Sequence, residues 1–120
     1  MQSNNITDPR IAEISQKVLQ AAKDTLGDKL DRVILYGSYA RGDYDHESDI
    51  DFLILADVSQ EEASGWRSLV SDRIPYIDLE FDLLVSLRVT GKSHFEQCVS
   101  FLPYYKNVLN EGVLISANKV

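Results

Sequence analysis

Two short apolar runs, separated by a polar stretch, constrain the fold of this sequence more than any other feature. Val33-Ile34-Leu35-Tyr36 and the run from Ile50 to Leu55 are rich in residues that favour β-strands. The polar stretch between them begins with Gly37-Ser38, directly where the first run ends. The pattern predicts two strands of one buried sheet, connected by a loop at the sheet's end, where functional residues often lie.

Helix signals flank these two strands. Asp8 can cap a first helix, Pro9 suits its first turn, and Gly27 is a natural stop. The apolar residues of this helix recur every three or four positions: Ile11, Ile14, Val18 and Ala22. Near the other end of the chain, Pro103 is predicted to begin a last helix that stops before Gly112.

Sequence signals for secondary structure are weaker between residues 56 and 100. Ser59 with Glu62 predicts a capping box at the start of a helix that Pro75 ends, and Ser93 with Glu96 predicts another. Residues 76–87 are predicted to form a longer strand with alternating faces, apolar on one side (Leu79, Phe81, Leu83) and acidic on the other (Asp78, Glu80, Asp82). With a short final strand at residues 113–115, the order of elements predicts an α/β or α+β sheet domain and leaves the strand order open.

Composition narrows the class of protein. The chain has 120 residues, 44% of them hydrophobic, and a net charge of −7, which disfavours binding to phosphate backbones of nucleic acids. The single cysteine excludes an intrachain disulfide, and we find no apolar run long enough for a membrane span. We therefore expect a cytoplasmic protein with a flexible tail at residues 1–8 and a single domain over residues 9–118.

The loop between the strands contains the residues that could bind a ligand or take part in catalysis. Gly37-Ser38 at a strand end combines a close backbone approach with a hydroxyl and a helix start, which suits a phosphate group. Asp49 and Asp51 stand two residues apart on a strand and so face the same side, where a divalent cation such as Mg²⁺ or Mn²⁺ would offset their repulsion. Asp82, on the predicted later strand, could complete a three-carboxylate cluster.

The spacing of these residues resembles the polymerase β-like nucleotidyltransferase superfamily. The resemblance rests on Gly37-Ser38, the Ala40-Arg41-Gly42 insert, Ser48, and Asp49-Ile50-Asp51. It is strongest to the minimal nucleotidyltransferases, short prokaryotic proteins paired with HEPN-domain toxins. It implies a two-layer α+β fold, with a small mixed sheet flanked by helices.

The resemblance also implies a role for each matching residue. Gly37 and Ser38 would hold the triphosphate of ATP, and Arg41 would either contact phosphate or brace the loop. Asp49 and Asp51 would bind two Mg²⁺ ions, with Mn²⁺ as a possible substitute. The family's third carboxylate lies on a later strand, where Asp82 fits best and Glu80 is the alternative.

The function implied is an antitoxin that transfers AMP from ATP to a hydroxyl, in this family a tyrosine of the HEPN ribonuclease toxin, in a complex that can contain several toxin copies. Asp82 would help to deprotonate that hydroxyl. Two alternatives remain open: a catalytically idle antitoxin that acts by occlusion, and a nucleotidyltransferase for small molecules such as antibiotics. The intact carboxylates disfavour the first, and the short chain disfavours the second because it leaves no room for an acceptor domain.

Overall fold

The two apolar runs form the central strands of a mixed sheet. The computed structural model describes residues 6–45 and 47–117. Within these residues the strands cover Leu30–Tyr36 (β1), Ile50–Ala56 (β2), Val85–Gly91 (β3) and Val113–Ala117 (β4). Their order is β3-β2-β1-β4, with β1 antiparallel to β2 and β4, and with β2 parallel to β3. The predicted α+β class, a small mixed sheet flanked by helices, is confirmed.

The described part of the chain also contains α-helices before, between and after the first three strands. They cover Pro9–Leu26 (α1), Ser38–Arg41 (α2), Ala63–Asp72 (α3), Ile77–Phe81 (α4), Lys92–Cys98 (α5) and Pro103–Glu111 (α6). The predicted start of α1 is confirmed, because the Arg10 N–H donates to Asp8 Oδ1 at 2.9 Å and Pro9 is the first helical residue. The predicted stops at Gly27 and Gly112 are confirmed as well.

Alternate residues of β1 and β2 pack on opposite faces of the sheet, as the strand period requires. The larger apolar cluster lies on the face that carries α1 and includes Val33 and Leu35 of β1 with Phe52 and Ile54 of β2. The smaller cluster joins the other face to α5 and α6 and contains Ile34, Leu53, Leu55, Phe95, Tyr105 and Val108. Both central strands are therefore buried, which holds their ends in place.

The predicted strand over residues 76–87 is wrong. Residues 77–81 form α4, which buries Ile77 and Phe81 one helical turn apart and leaves Leu79 82% exposed. Asp82 ends this helix with a positive φ of 52°, and the strand begins only at Val85. Alternation over so few residues does not distinguish a strand from one helical turn.

The two predicted capping boxes have different outcomes. Ser59 Oγ accepts a hydrogen bond from the Glu62 N–H at 3.3 Å, and α3 begins immediately after this turn, so the first box is confirmed. The second is wrong, because α5 begins at Lys92 and Ser93 lies inside the helix rather than before it. Gly91 precedes α5 without a side-chain cap.

The beginning of the chain is described only from Ile6 onward. Residues 1–5 of the predicted tail lie outside the described residues, whereas Ile6 packs against the larger apolar cluster and Asp8 caps α1. No helix in the described ranges is both long and apolar enough to cross a lipid bilayer.

Candidate functional site

The glycine that ends β1 is the first component of the site. Gly37 has φ 78° and ψ −155°, a conformation that side chains other than glycine rarely adopt, and the four-residue helix α2 begins directly after it. A Cβ placed on Gly37 would lie 2.6 Å from Asp51 Oδ2, closer than real Cβ contacts. The predicted close approach to Gly37 therefore exists, and the group that makes it is this chain's own carboxylate.

The two predicted aspartates meet at the start of β2. Asp51 is half-buried and stands opposite Tyr36 of β1, while Asp49 is exposed just before the strand. Burial raises the pKa of the Asp51 carboxyl, and the charge of Asp49 raises it further. The charge of Asp49 therefore acts on Asp51, two residues further along the chain.

The donor set of this pair suits a hard divalent cation. Among the described residues, neither Asp49 nor Asp51 forms an ion pair or accepts a side-chain hydrogen bond. Two adjacent carboxylates without a counter-charge, one of them half-buried, are stabilised by a cation with oxygen ligands. The observation supports one cation held by two carboxylates.

The predicted third carboxylate does not join them. The residue of β3 opposite Asp51 is Ser86, and β3 has the sequence VSLRVTG, without an acidic residue. Asp82 lies before the strand at the end of α4, and Glu80 pairs with Lys17 of α1 at 3.7 Å. In the part of the chain that the structure describes, no three acidic, histidine or cysteine side chains form a group that could hold a metal ion.

Arg41 contacts the protein on two sides. Its Nε–H donates to Asp43 Oδ2 at 3.1 Å, and its Nη1–H donates to Glu111 Oε2 at 3.4 Å, at the end of α6. The hydrogen bond to Asp43 is the main reason why the pKa of Arg41 is raised. These two contacts tie the α2 loop to α6.

A pair of tyrosines beside Asp51 was not predicted. The Tyr104 hydroxyl donates to the Tyr36 hydroxyl at 2.8 Å, and their rings meet edge to face at 5.7 Å. Burial raises the pKa of Tyr36, and the hydrogen bond from Tyr104 and the charge of Asp51 raise it further. The guanidinium of Arg88 lies 4.9 Å from the centre of the Tyr104 ring. The position of Tyr36 next to Gly37 is a usable signal, but nothing in the sequence links Tyr36 to Tyr104.

Sequence comparisons connect this chain with known proteins. A family model described as a nucleotidyltransferase domain matches residues 15–115. "Putative protein adenylyltransferase MJ0141" of Methanocaldococcus jannaschii is 43% identical over 76 residues, which are 63% of this chain and 75% of that protein. A second protein of the same name and organism, MJ0604, is 32% identical over 97 residues, which are 81% of this chain and 89% of that protein.

Solved structures share the fold. A toxin-antitoxin crystallised with AMP-PNP has a TM-score of 0.59 at 20% identity, and covers 88% of this chain and 74% of its own. A mutant of the toxin-antitoxin MntA-HpeT has a TM-score of 0.57 at 17% identity, with the same coverage. At these identities the likeness concerns the fold.

Proposed function

Because the chain belongs to the nucleotidyltransferase domain family, we propose that it is an antitoxin enzyme that transfers AMP from ATP to a tyrosine hydroxyl of a partner HEPN ribonuclease toxin. The observation that carries the proposal is the uncompensated pair Asp49 and Asp51, of which Asp51 packs against Gly37. Two relatives named as protein adenylyltransferases support the reaction, and the toxin-antitoxin structures that share the fold support the partner.

The triphosphate of ATP would bind at the turn between β1 and α2. The first N–H groups of a helix have no acceptor within the helix. The missing side chain of Gly37 leaves room for Asp51 beside them, so a cation held by Asp51 would lie next to the bound phosphates. Ser38 adds a hydroxyl at the first position of α2. Arg41, braced by Asp43 and Glu111, would hold this turn in shape and place a positive charge at its other end.

Asp49 and Asp51 would hold the Mg²⁺ or Mn²⁺ that enters with ATP. When bound, the cation would neutralise phosphate charge and help to orient the α-phosphorus. Until then the two carboxylates repel each other, so they favour the cation–nucleotide complex over free nucleotide. A role for Asp82 and a second ion stays a prediction that would require the α4–β3 turn to move.

The transfer itself needs little covalent chemistry from the protein. The hydroxyl oxygen of the acceptor would bond to the α-phosphorus and release its proton to water. The bond from the α-phosphorus to the oxygen that bridges to the β-phosphorus would break, and pyrophosphate would leave with its charge held at the turn. Positioning of the two reactants and electrostatic stabilisation supply most of the rate in reactions of this kind. Ser38 and the carboxylate pair are the residues of this chain that would do so.

The test is direct. The protein is incubated with ATP, Mg²⁺ and the purified product of the adjacent gene, and the intact mass of that partner is measured. We expect an added mass of one or more AMP groups on the partner, located by peptide sequencing to a tyrosine, and none with the variant Asp49→Asn/Asp51→Asn. A partner that is silenced without any added mass would contradict the proposal and favour occlusion. AMP added to a small molecule and not to the partner would also contradict it.

The net charge of the chain and its need for ATP indicate what kind of partner and location to propose. The net charge of −7 suits a basic protein partner better than direct contact with nucleic acid. Because the proposed reaction consumes ATP, we propose a cytoplasmic location. We propose a hetero-oligomer with several toxin copies as the working assembly, which light scattering of the purified complex would measure.

A further inference from the structure

A cleft of about 460 Å³ opens beside Asp49. It lies between the end of α3, helix α4 and the first residues of β3, and Ser86, the residue opposite Asp51, forms part of its wall. Further lining residues are Asp72, Ile77, Asp78 and Leu84. The cleft thus reaches Asp49, on the side of β2 away from β1.

Backbone hydrogen bonds attach the walls of this cleft to the site. The Ile50 N–H, between the two aspartates, donates to the Leu84 carbonyl at 2.9 Å. The Val85 N–H donates to Asp78 Oδ1 at 2.9 Å, which holds α4 against the start of β3. The cleft therefore has a defined position relative to Asp49 and Asp51.

The charges in the cleft argue against a phosphate as its occupant. Apart from Asp49, which the proposed function assigns to the cation, the carboxylates of Asp72 and Asp78 line it together with one guanidinium, that of Arg67. Such an excess of negative charge repels a triphosphate and attracts a cationic group. The cleft is therefore better suited to the acceptor than to ATP.

The apolar part of the cleft indicates what kind of acceptor fits. Leu84 lines it and is 56% exposed, and Ile77 and Leu87 are further apolar lining residues. Apolar side chains that line an open cleft are typical of a surface that another protein covers. A cavity of this size accommodates an aromatic side chain with part of its backbone.

We infer that this cleft receives the acceptor: a tyrosine on a segment of the partner protein that carries basic residues beside it. The inference rests on the proposed function and deepens it by locating the partner's entry. The tyrosine hydroxyl would then approach the α-phosphorus from the Asp49 side, while ATP occupies the Gly37 side. The basic residues of the segment would face Asp72 and Asp78.

A bulky label in the cleft tests this arrangement. Ser71 lines the cleft from α3, so Ser71→Cys is made in a Cys98→Ser background and modified with a pyrene maleimide. Ser64→Cys, on the same helix but outside the cleft, is the matched control. We expect labelled Ser71→Cys to lose AMP transfer to the partner at least tenfold while it still binds a fluorescent ATP analogue, and the labelled control to keep both.

The outcomes separate this inference from the proposed function. If unlabelled protein transfers AMP and labelled Ser71→Cys transfers it equally well, the inference is wrong and the function stands. If the label abolishes binding of the ATP analogue, the cleft belongs to the nucleotide and the inference is wrong. If unlabelled protein transfers no AMP, the proposed function fails, and partner binding by gel filtration still tests the cleft, since labelling should abolish it.

Charge provides a second measurement. Asp72→Asn/Asp78→Asn removes two charges, and asparagine at position 78 can still accept from the Val85 N–H. We expect the KM for the partner to rise about threefold to tenfold at low salt, with the KM for ATP unchanged. Glu61→Gln/Glu96→Gln, two exposed carboxylates outside the cleft, should change neither. Equal effects of both double variants would overturn the inference.

Discussion

Asp51 Oδ2 occupies the place next to Gly37 where any other residue would carry its Cβ, with only 2.6 Å between the oxygen and that position. The residue proposed to bind phosphate and the residue proposed to bind the cation are therefore in direct contact. A change at one of them displaces the other. The two halves of the proposed site behave as one unit.

A methyl group at residue 37 tests this contact. We expect Gly37→Ala to lose about 2–4 kcal/mol of unfolding free energy, because the positive φ and the clash with Asp51 add together. AMP transfer should fall below detection. Urea unfolding and the partner's intact mass are the two measurements.

Gly42→Ala is the control for Gly37→Ala. Gly42 also has a positive φ, 85°, but a Cβ there would have no heavy atom within 4 Å. We expect a loss of about 1 kcal/mol from backbone strain alone, with AMP transfer retained. If both variants lose activity equally, backbone strain rather than the contact with Asp51 explains the effect.

Removing the charge of Asp51 should not destabilise the protein. Ionised Asp51 is less favourable in the folded protein than in the unfolded chain, because burial and Asp49 both raise its pKa. Asp51→Asn should therefore unfold at the same or a higher urea concentration than wild type at pH 7.5, and lose AMP transfer. A loss above about 2 kcal/mol would show that the carboxylate is structural.

The same carboxyl predicts a pH dependence of stability. The stabilising contribution of this carboxyl to the free energy of unfolding is fully present below its ordinary pKa of 3.8. It is lost as the pH rises through the raised pKa of the folded protein. We expect wild type to lose stability relative to Asp51→Asn over that interval. Unfolding midpoints measured for both proteins from pH 4 to pH 8 test this, and Mg²⁺ at pH 7.5 should raise only the midpoint of wild type. Parallel curves would contradict the assignment.

The family resemblance and the geometry predict different effects of substituting the third carboxylate. The resemblance predicts that Asp82→Asn abolishes transfer, whereas the described structure leaves Asp82 at the end of α4. We expect Asp82→Asn and Glu80→Gln both to stay within about threefold of wild type, since neither side chain joins the Asp49–Asp51 pair. Loss of activity in only one of them would identify it as the missing ligand.

The tyrosine pair predicts a coupling energy. Tyr104→Phe removes the donor to the Tyr36 hydroxyl and should cost about 1 kcal/mol, and Tyr36→Phe should cost a similar amount. Because both variants remove the same hydrogen bond, the double variant should cost clearly less than the sum of the two. Denaturant unfolding of the four proteins closes this cycle, and strictly additive losses would show that the hydrogen bond contributes nothing.

Local signals explain which parts of the fold could be predicted. The Asp8 cap with Pro9 and the uninterrupted apolar runs of β1 and β2 each act within a few residues, so sequence patterns identify them. The strand prediction is wrong over residues 77–84 because the burial of Ile77 and Phe81 depends on contacts with α1 and the sheet. Local alternation of apolar and polar residues does not represent such contacts. Strand order depends in the same way on distant contacts.

In the candidate site, too, contacts between residues near in sequence could be predicted and contacts between distant segments could not. Gly37 and Asp51 lie at the ends of two strands joined by one loop, so the sequence pattern predicts that they lie close together. The third ligand depends on the placement of a separate segment, and the structure places Asp82 at the end of α4 rather than on the predicted strand. Tyr104 reaches Tyr36 from 68 residues away, and no sequence pattern encodes that contact.

The position of β4 at one edge of the sheet has a consequence for the order of folding. β1 and β2 are close in sequence, so we expect them to pair first during synthesis, whereas Ser116 of β4 pairs with Val33 of β1 across most of the chain. The turn at Gly37 and the aspartates of β2 can therefore assemble while residues beyond β3 are still being synthesised. Until β4 arrives, β1 exposes an unpaired edge, and we expect that edge to be the main point at which a nascent chain can aggregate.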